Sequence, residues 1–242
     1  MKKVLLFMYL SLSFIQGDEI DFTHDGWERE AYLYKPSCIP EDVPDDFEPV
    51  PLVMMFHGLG GEGQDFYDFS SLAEDSCFIV VFPSGLYNTW NVGPDAGFSH
   101  DIDDNSYVKA LIDTIFQNSD RYPIDTNRVY GTGHSMGGGF TNHLSCTSNL
   151  FTALGSSGGW VNSNYVSSAN GNMSELCDPM TTGFAIPTIH SHGIGDQTVP
   201  VMWGKNAAFS ASSRNLCNDP LDVFLQVDWG VLSYYGEVNT DY

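Results

Sequence analysis

The run Gly133-His134-Ser135-Met136-Gly137 constrains the fold of this chain more than any other stretch. Glycines two residues either side of a serine suit a point where a strand reverses directly into a helix, because a side chain at either position would clash. The flanks agree: Arg128-Val129-Tyr130 offers β-branched and aromatic residues for an incoming strand, and Gly138 to Cys146 reads as a helix. A flexible glycine loop is the alternative, and those flanks argue against it. Further short apolar runs at Pro51–Phe56, Phe78–Phe82, Arg128–Gly131, Phe151–Gly155 and Ile186–His190 read as strands. They alternate with helical periods at Asp65–Glu74, Tyr107–Gln117 and Gly138–Cys146. The pattern predicts an α/β class chain: a mostly parallel, doubly wound sheet with helices on both faces, three layers deep. Glu28–Tyr34 alternates and runs into Lys35-Pro36-Ser37, which suits an edge strand. A chain of 242 residues can bury one substantial core, so a single domain is expected.

Lys2 and Lys3 precede an apolar stretch from Val4 to Ile15 that is too short to span a bilayer. Residues 1–17 are therefore expected to be a secretory signal cleaved near Gly17, leaving 18–242 as the mature domain. Removing that segment takes two of nine basic residues and none of 31 acidic ones, so the net charge moves from −22 to −24. A surface so acidic excludes nucleic acid as a partner and repels polyanions and anionic lipid, whereas neutral polymers or small esters remain compatible. The five cysteines, Cys38, Cys77, Cys146, Cys177 and Cys217, are expected to form disulfides outside the cell, with one left over. Asn172-Met173-Ser174 is a candidate glycosylation site.

A serine hydroxyl attacks only when it is exposed beside a base and beside donors for the developing oxyanion. Ser135 is the candidate nucleophile. The N–H of Met136, opening the following helix, is one candidate oxyanion donor, and Leu59 in His57-Gly58-Leu59-Gly60-Gly61 is the second. Asp196 follows an apolar strand in a glycine-bordered turn, and is the candidate acid because the order in such sites is Ser, acid, His. In a doubly wound sheet all three motifs lie on the rim at the carboxyl ends of the strands. Trp90 suits either a wall of the acyl pocket or loop packing. None of the seven histidines follows Asp196, and the last is His192. No metal site is expected: His190 and His192 lack a third ligand, and Asp101-Ile102-Asp103-Asp104-Asn105 lacks the glycine and closing Glu of a calcium loop, so it is expected to cap a helix.

The joint order of Pro51-Leu52-Val53 leading to His57-Gly58, Thr89-Trp90-Asn91-Val92-Gly93, Asp103-Asp104 before Tyr107–Asp113, the serine turn, and His192-Gly193 with Asp196 and Val199-Pro200 resembles a known group. The chain looks like the polyhydroxybutyrate depolymerase and feruloyl esterase group of secreted α/β-hydrolases. That resemblance implies cofactor-free ester hydrolysis by a Ser, His, Asp triad, on hydroxyalkanoate polymers or on feruloyl and acetyl esters of plant-wall polysaccharide. It also implies a histidine in a glycine-rich segment near the C-terminus, typically followed by Trp-Pro, which is not found up to Tyr242. The expectation is that this segment lies beyond Tyr242. The rival readings are a noncatalytic secreted binding protein on the same scaffold, and a peptidase or thioesterase using the same triad. The oligomeric state is left open.

Overall fold

The computed structural model describes residues 17–93, 102–161, 166–167, 172–173, 185–215, 225–226 and 231–235. The signal segment up to residue 16, Asp101, Ser174, Cys177 and Cys217 lie outside them. Eleven strands are described: β1 Asp18–His24, β2 Trp27–Tyr34, β3 Val50–Phe56, β4 Ile79–Pro83, β5 Ile124–His134, β6 Ala153–Ser157, β7 Val166–Ser167, β8 Asn172–Met173, β9 Thr188–Gly193, β10 Leu225–Gln226 and β11 Val231–Tyr235. The α-helices are α1 Ser70–Ser76, α2 Asp104–Phe116, α3 Met136–Thr147 and α4 Val201–Arg214.

Nine strands form one sheet in the order β1-β2-β4-β3-β5-β6-β9-β11-β10. Its centre, β4-β3-β5-β6-β9, runs parallel, and the strands outside it pair antiparallel. Parallel strands covered on both sides read as nearly continuous apolar runs, which is why Pro51–Phe56 and Phe78–Phe82 could be recognised. Their sides part cleanly in the core. Leu52, Met54, Ile79, Val81 and Leu154 pack with Val108, Leu111, Phe140 and Leu144 of α2 and α3. Met55, Val80 and Phe82 pack on the opposite face with Ala73 of α1. This is the doubly wound α/β architecture expected, with helices on both faces.

Two boundaries differ from expectation. β2 is not an edge: β1 pairs along its whole length, from Asp18 opposite Leu33 to His24 opposite Trp27. The charged alternation of Asp18–His24 hides a strand whose Ile20 and Phe22 lean on the core. Asp65–Glu74 is split, with a 3-10 turn over Gly63–Phe69 followed by α1. α1 ends at Cys77, which takes a left-handed conformation (φ 54°) and is joined to Cys38 after β2. Cys146 is likewise disulfide-bonded. No described helix is long and apolar enough to cross a membrane.

Candidate active site

β5 carries the chain to Ser135, which stands before α3 at φ 56°, ψ −117°. A non-glycine residue holds such a conformation at a cost of about 1–3 kcal/mol, and only where its surroundings enforce it. Here they do. The Ser135 N–H donates to Ser157 O at 2.9 Å, and Ser135 O accepts the Gly139 N–H at 2.9 Å. The glycines of the turn are used for close approach: a Cβ at 133 would lie 2.4 Å from the carbonyl carbon of Gly137, and one at 137 would lie 2.0 Å from Phe56 O. β3, β5 and α3 therefore meet backbone to backbone beneath the serine.

Met136 is the first residue of α3, where an N–H has no acceptor within the helix. Leu59 lies in the turn after β3 with its side chain half exposed. The neighbouring Gly58 sits against the serine, since a Cβ built on it would be 3.5 Å from Ser135 Cβ and 4.0 Å from Ser135 Oγ. The loop expected to supply the second donor is thus beside Ser135, the candidate nucleophile.

Asp196 follows β9. Its Oδ1 accepts the N–H groups of Thr198 and Val199, both at 2.9 Å. The Val199 bond is the main reason its carboxyl is held below the usual range, and the Thr198 bond adds to it. The other oxygen, Oδ2, is 3.7 Å from Nε2 of His192. It also approaches the end of β6, lying 3.9 Å from the place a Cβ on Gly158 would take, and His134 Cε1 is 3.5 Å from the same point. Ser135, Gly58 and Asp196 all fall at the carboxyl ends of parallel strands, as a doubly wound sheet requires of a site.

Several described histidines are engaged away from the serine. His24 Nε2 is bonded to Ser106 Oγ. His192 Nε2 bonds to Val199 O at 2.7 Å, so it donates, and its Nδ1 accepts from His190 Nε2 at 3.2 Å. The pair is buried against Gly204 of α4, where a Cβ would lie 2.3 Å from His192 Nδ1. These two rings are packing elements of the sheet. Burial pushes His190 down to about 3, with His192 adding to it, and pushes His143, stacked on Phe140, down to about 4.

Trp90 is fully buried, its ring stacked on Phe140 with centroids 4.8 Å apart, and its Nε1 donates to His57 O at 3.0 Å. Of the two roles open to it, packing describes this placement. The acidic run before α2 serves as a cap: Asp103 accepts the Ser106 N–H, while Asp104 turns inward to Arg29 at 2.6 Å. Asp104 Oδ2 also accepts the Asn91 N–H at 2.8 Å, which fixes the Trp90 loop to the helix. The sequence reading passed over Ser157-Gly158 and Gly85. Their signal was a Ser-Ser-Gly-Gly run directly after a strand and a lone glycine after Pro83-Ser84, both at the same rim.

The phospholipase/carboxylesterase family model matches residues 43–225, which includes β3 through α4 and every residue named above at the rim. The chain belongs to the phospholipase/carboxylesterase family. Among the relatives of this family member, acetylxylan esterase A of Aspergillus oryzae (strain ATCC 42149 / RIB 40) is 27% identical over 139 residues, 55% of this chain and 42% of that protein. Feruloyl esterase B of Thermothelomyces thermophilus is 28% identical over 120 residues, 48% of this chain and 38% of that protein. The matches thus span less than half the length of these curated relatives. In fold, an acetyl xylan esterase structure from Aspergillus awamori superposes with a TM-score of 0.62 at 19% identity, covering 87% of this chain and 84% of that one. A thermostable esterase superposes at 0.59 with 23% identity, covering 82% of this chain and 52% of that one.

Proposed function

We propose that this chain forms the core of a secreted carboxylic ester hydrolase in which Ser135 is the nucleophile. The observation that carries the reading is the strained, enforced turn at Ser135 beside the Gly58 loop (φ 56°, ψ −117°). A buried scaffold has no use for such a conformation at an accessible hydroxyl, whereas attack on a carbonyl requires it. Ser135 Oγ adds to the ester carbonyl carbon as its proton passes to a histidine supplied from outside the described residues. Asp196, its Oδ1 fixed by the turn, orients that histidine through Oδ2. The N–H groups of Met136 and Leu59 hold the oxyanion. The intermediate collapses by releasing the alcohol, which takes the proton, and water then hydrolyses the acyl-serine by the same path in reverse.

The substrate class is an acetyl or feruloyl ester of a plant-wall polysaccharide. The names of the relatives support this, and a net charge of −22 is compatible with a neutral polymer. Polyhydroxybutyrate, another neutral polyester, is the competing substrate to measure. The protein expressed from its full reading frame is expected to release acetate from acetylated xylan or ferulate from methyl ferulate. Ser135→Ala should lower kcat by about 10,000-fold or more. Turnover that survives this substitution refutes the nucleophile. Preference for polyhydroxybutyrate over both wall esters refutes the substrate class alone.

A further inference from the structure

A glycine-rich loop does not fix the orientation of its own peptide planes. Gly58 has no Cβ, so its own ψ does little to fix whether the Gly58–Leu59 peptide presents its carbonyl or its N–H to the serine. The two choices are opposite in effect: an N–H stabilises an oxyanion, and a carbonyl in its place repels it. Hydrogen bonds to the Gly58 carbonyl select between them, one from the Gly61 N–H within the loop and one from the His57 ring.

We infer that His57 is a positioning residue whose buried imidazole clamps the Gly58 carbonyl on the inner side of the loop and thereby turns the Leu59 N–H toward the Ser135 side. The inference rests on the proposed role of Ser135. His57 is fully buried, and its two ring nitrogens are bonded in opposite senses. Nε2 faces the Gly85 N–H at 2.9 Å; a backbone N–H can only donate, so Nε2 is the unprotonated nitrogen. Nδ1 therefore carries the hydrogen and donates it to Gly58 O at 2.7 Å. Gly58 O accepts a second bond from the Gly61 N–H at 3.1 Å. No cis peptide bond is present among the described residues, and in a planar trans peptide the N–H points opposite to the preceding C=O. With Gly58 O drawn inward by the buried ring, the Leu59 N–H is directed outward, and Gly58 itself lies against Ser135.

The ring is in turn held from both sides. Trp90, stacked on Phe140 of α3, donates to His57 O and lies with its ring 4.9 Å from the His57 ring. Gly85 packs on the far end of its own loop, where a Cβ would lie 2.0 Å from Thr89 O. The loop after β3 is thereby tied to the loop after β4 and to the helix that begins at the nucleophile.

Two side-chain amides separate the bonds of the ring. His57→Asn places an N–H near the position of Nδ1 and lacks the Nε2 acceptor, whereas His57→Gln reaches the Nε2 position and cannot serve Gly58 O. Asn is expected to retain kcat on a small aryl ester within about tenfold. Gln and Leu should lose about a hundredfold, the scale of a removed oxyanion donor, with KM changed by less than about threefold. A boronic acid that mimics the tetrahedral intermediate should lose affinity in parallel with kcat. Equal losses for Asn and Gln overturn the clamp. Nitrogen-15 shifts of the wild-type ring give a reading that needs neither a variant nor activity: protonated Nδ1 with bare Nε2 supports the clamp, and the opposite tautomer or a charged ring at neutral pH overturns it. A wild-type protein inert toward every ester strikes at the proposed function and leaves those shifts to decide the clamp.

Discussion

Gly137 packs so closely beneath Phe56 that a Cβ at residue 137 would lie 2.0 Å from the Phe56 carbonyl oxygen. Phe56 ends β3 and Gly137 lies in the first turn of α3, so this contact sets the distance between the loop that begins at His57 and Ser135. Backbone cannot yield as a flexible side chain does. Gly137→Ala is therefore expected to destabilise the protein by about 3 kcal/mol or more, at the severe end of overpacking. Whatever fraction folds should lose reaction of Ser135 with a fluorophosphonate. Labelling at the wild-type rate by a stably folded variant would show that the contact can relax.

The buried pair Arg29 and Asp104 is a second place where local chemistry fixes the rim. Their side chains are 2% and 4% exposed, and Arg29 also stands over the Tyr107 ring at 3.6 Å. Arg29→Met leaves the Asp104 carboxylate buried with only the Asn91 N–H, and removal of one partner of such a pair costs about 3–5 kcal/mol. Adding Asp104→Asn should recover about half of that loss. Urea unfolding of the single and double variants makes the comparison, and additive losses would mean the two groups are not coupled.

The strands nearest the site were the most legible part of the sequence. β3 and β4 are apolar and buried almost throughout, so burial and composition coincide there, while β5, β6 and β9 bury alternate residues and were marked by short apolar runs leading into glycine turns. β1 was not legible because only alternate residues reach the core. α4 was not legible because the buried side it presents is made of small residues, Gly204 over the two histidines with Ala207 and Ala211, which carry little apolar signal. The same limit applies at the site. Ser135, Leu59, Met136 and Asp196 could be named because glycine spacing marks turns. The ring of His57 could not be assigned, since its partners are backbone groups of Gly58 and Gly85, one of them 28 residues away. Trp90 carries no sign in sequence of whether it faces a ligand or Phe140.

Burial also sets an acid limit on stability. His190 and His143 are held neutral, at about 3 and about 4, while in the unfolded chain each takes up a proton near 6.5. At pH 7 both states leave them neutral and the effect is nil. As pH falls below 6.5, the unfolded state binds protons that the folded state refuses. Each histidine then costs up to about 1.4 kcal/mol per pH unit, until the folded ring itself protonates. Asp196 has its own window lower down, because a depressed carboxyl contributes stability above its unfolded value and loses it as pH falls through the folded one. Urea midpoints should be level from pH 7 to 8 and drop steeply from 6 to 5. Burial holds His57 below its ordinary value as well, so His143→Phe is expected to remove about a third of that slope. A slope unchanged by this substitution would assign the acid loss to other groups.

Asp196 separates a turn-former from a catalytic acid, because its two oxygens do different work. Oδ1 closes the turn by accepting from Thr198 and Val199, and Oδ2 faces the rim near His192 and Gly158. In Asp196→Asn the amide oxygen can keep both turn bonds, so the melting temperature should shift by no more than about 2 °C, the scale of a small surface change. Under the proposed mechanism, what is removed is the negative charge that holds a histidine in the tautomer able to accept the serine proton. Loss of that charge with the geometry intact lowers kcat by about 10,000-fold in a serine triad. The same size of loss is expected here, with KM little changed and with hydroxide-assisted turnover recovering part of it at high pH. If Asp196 only shapes the turn, kcat will stay within tenfold of wild type, and the acid must then be sought elsewhere on the rim.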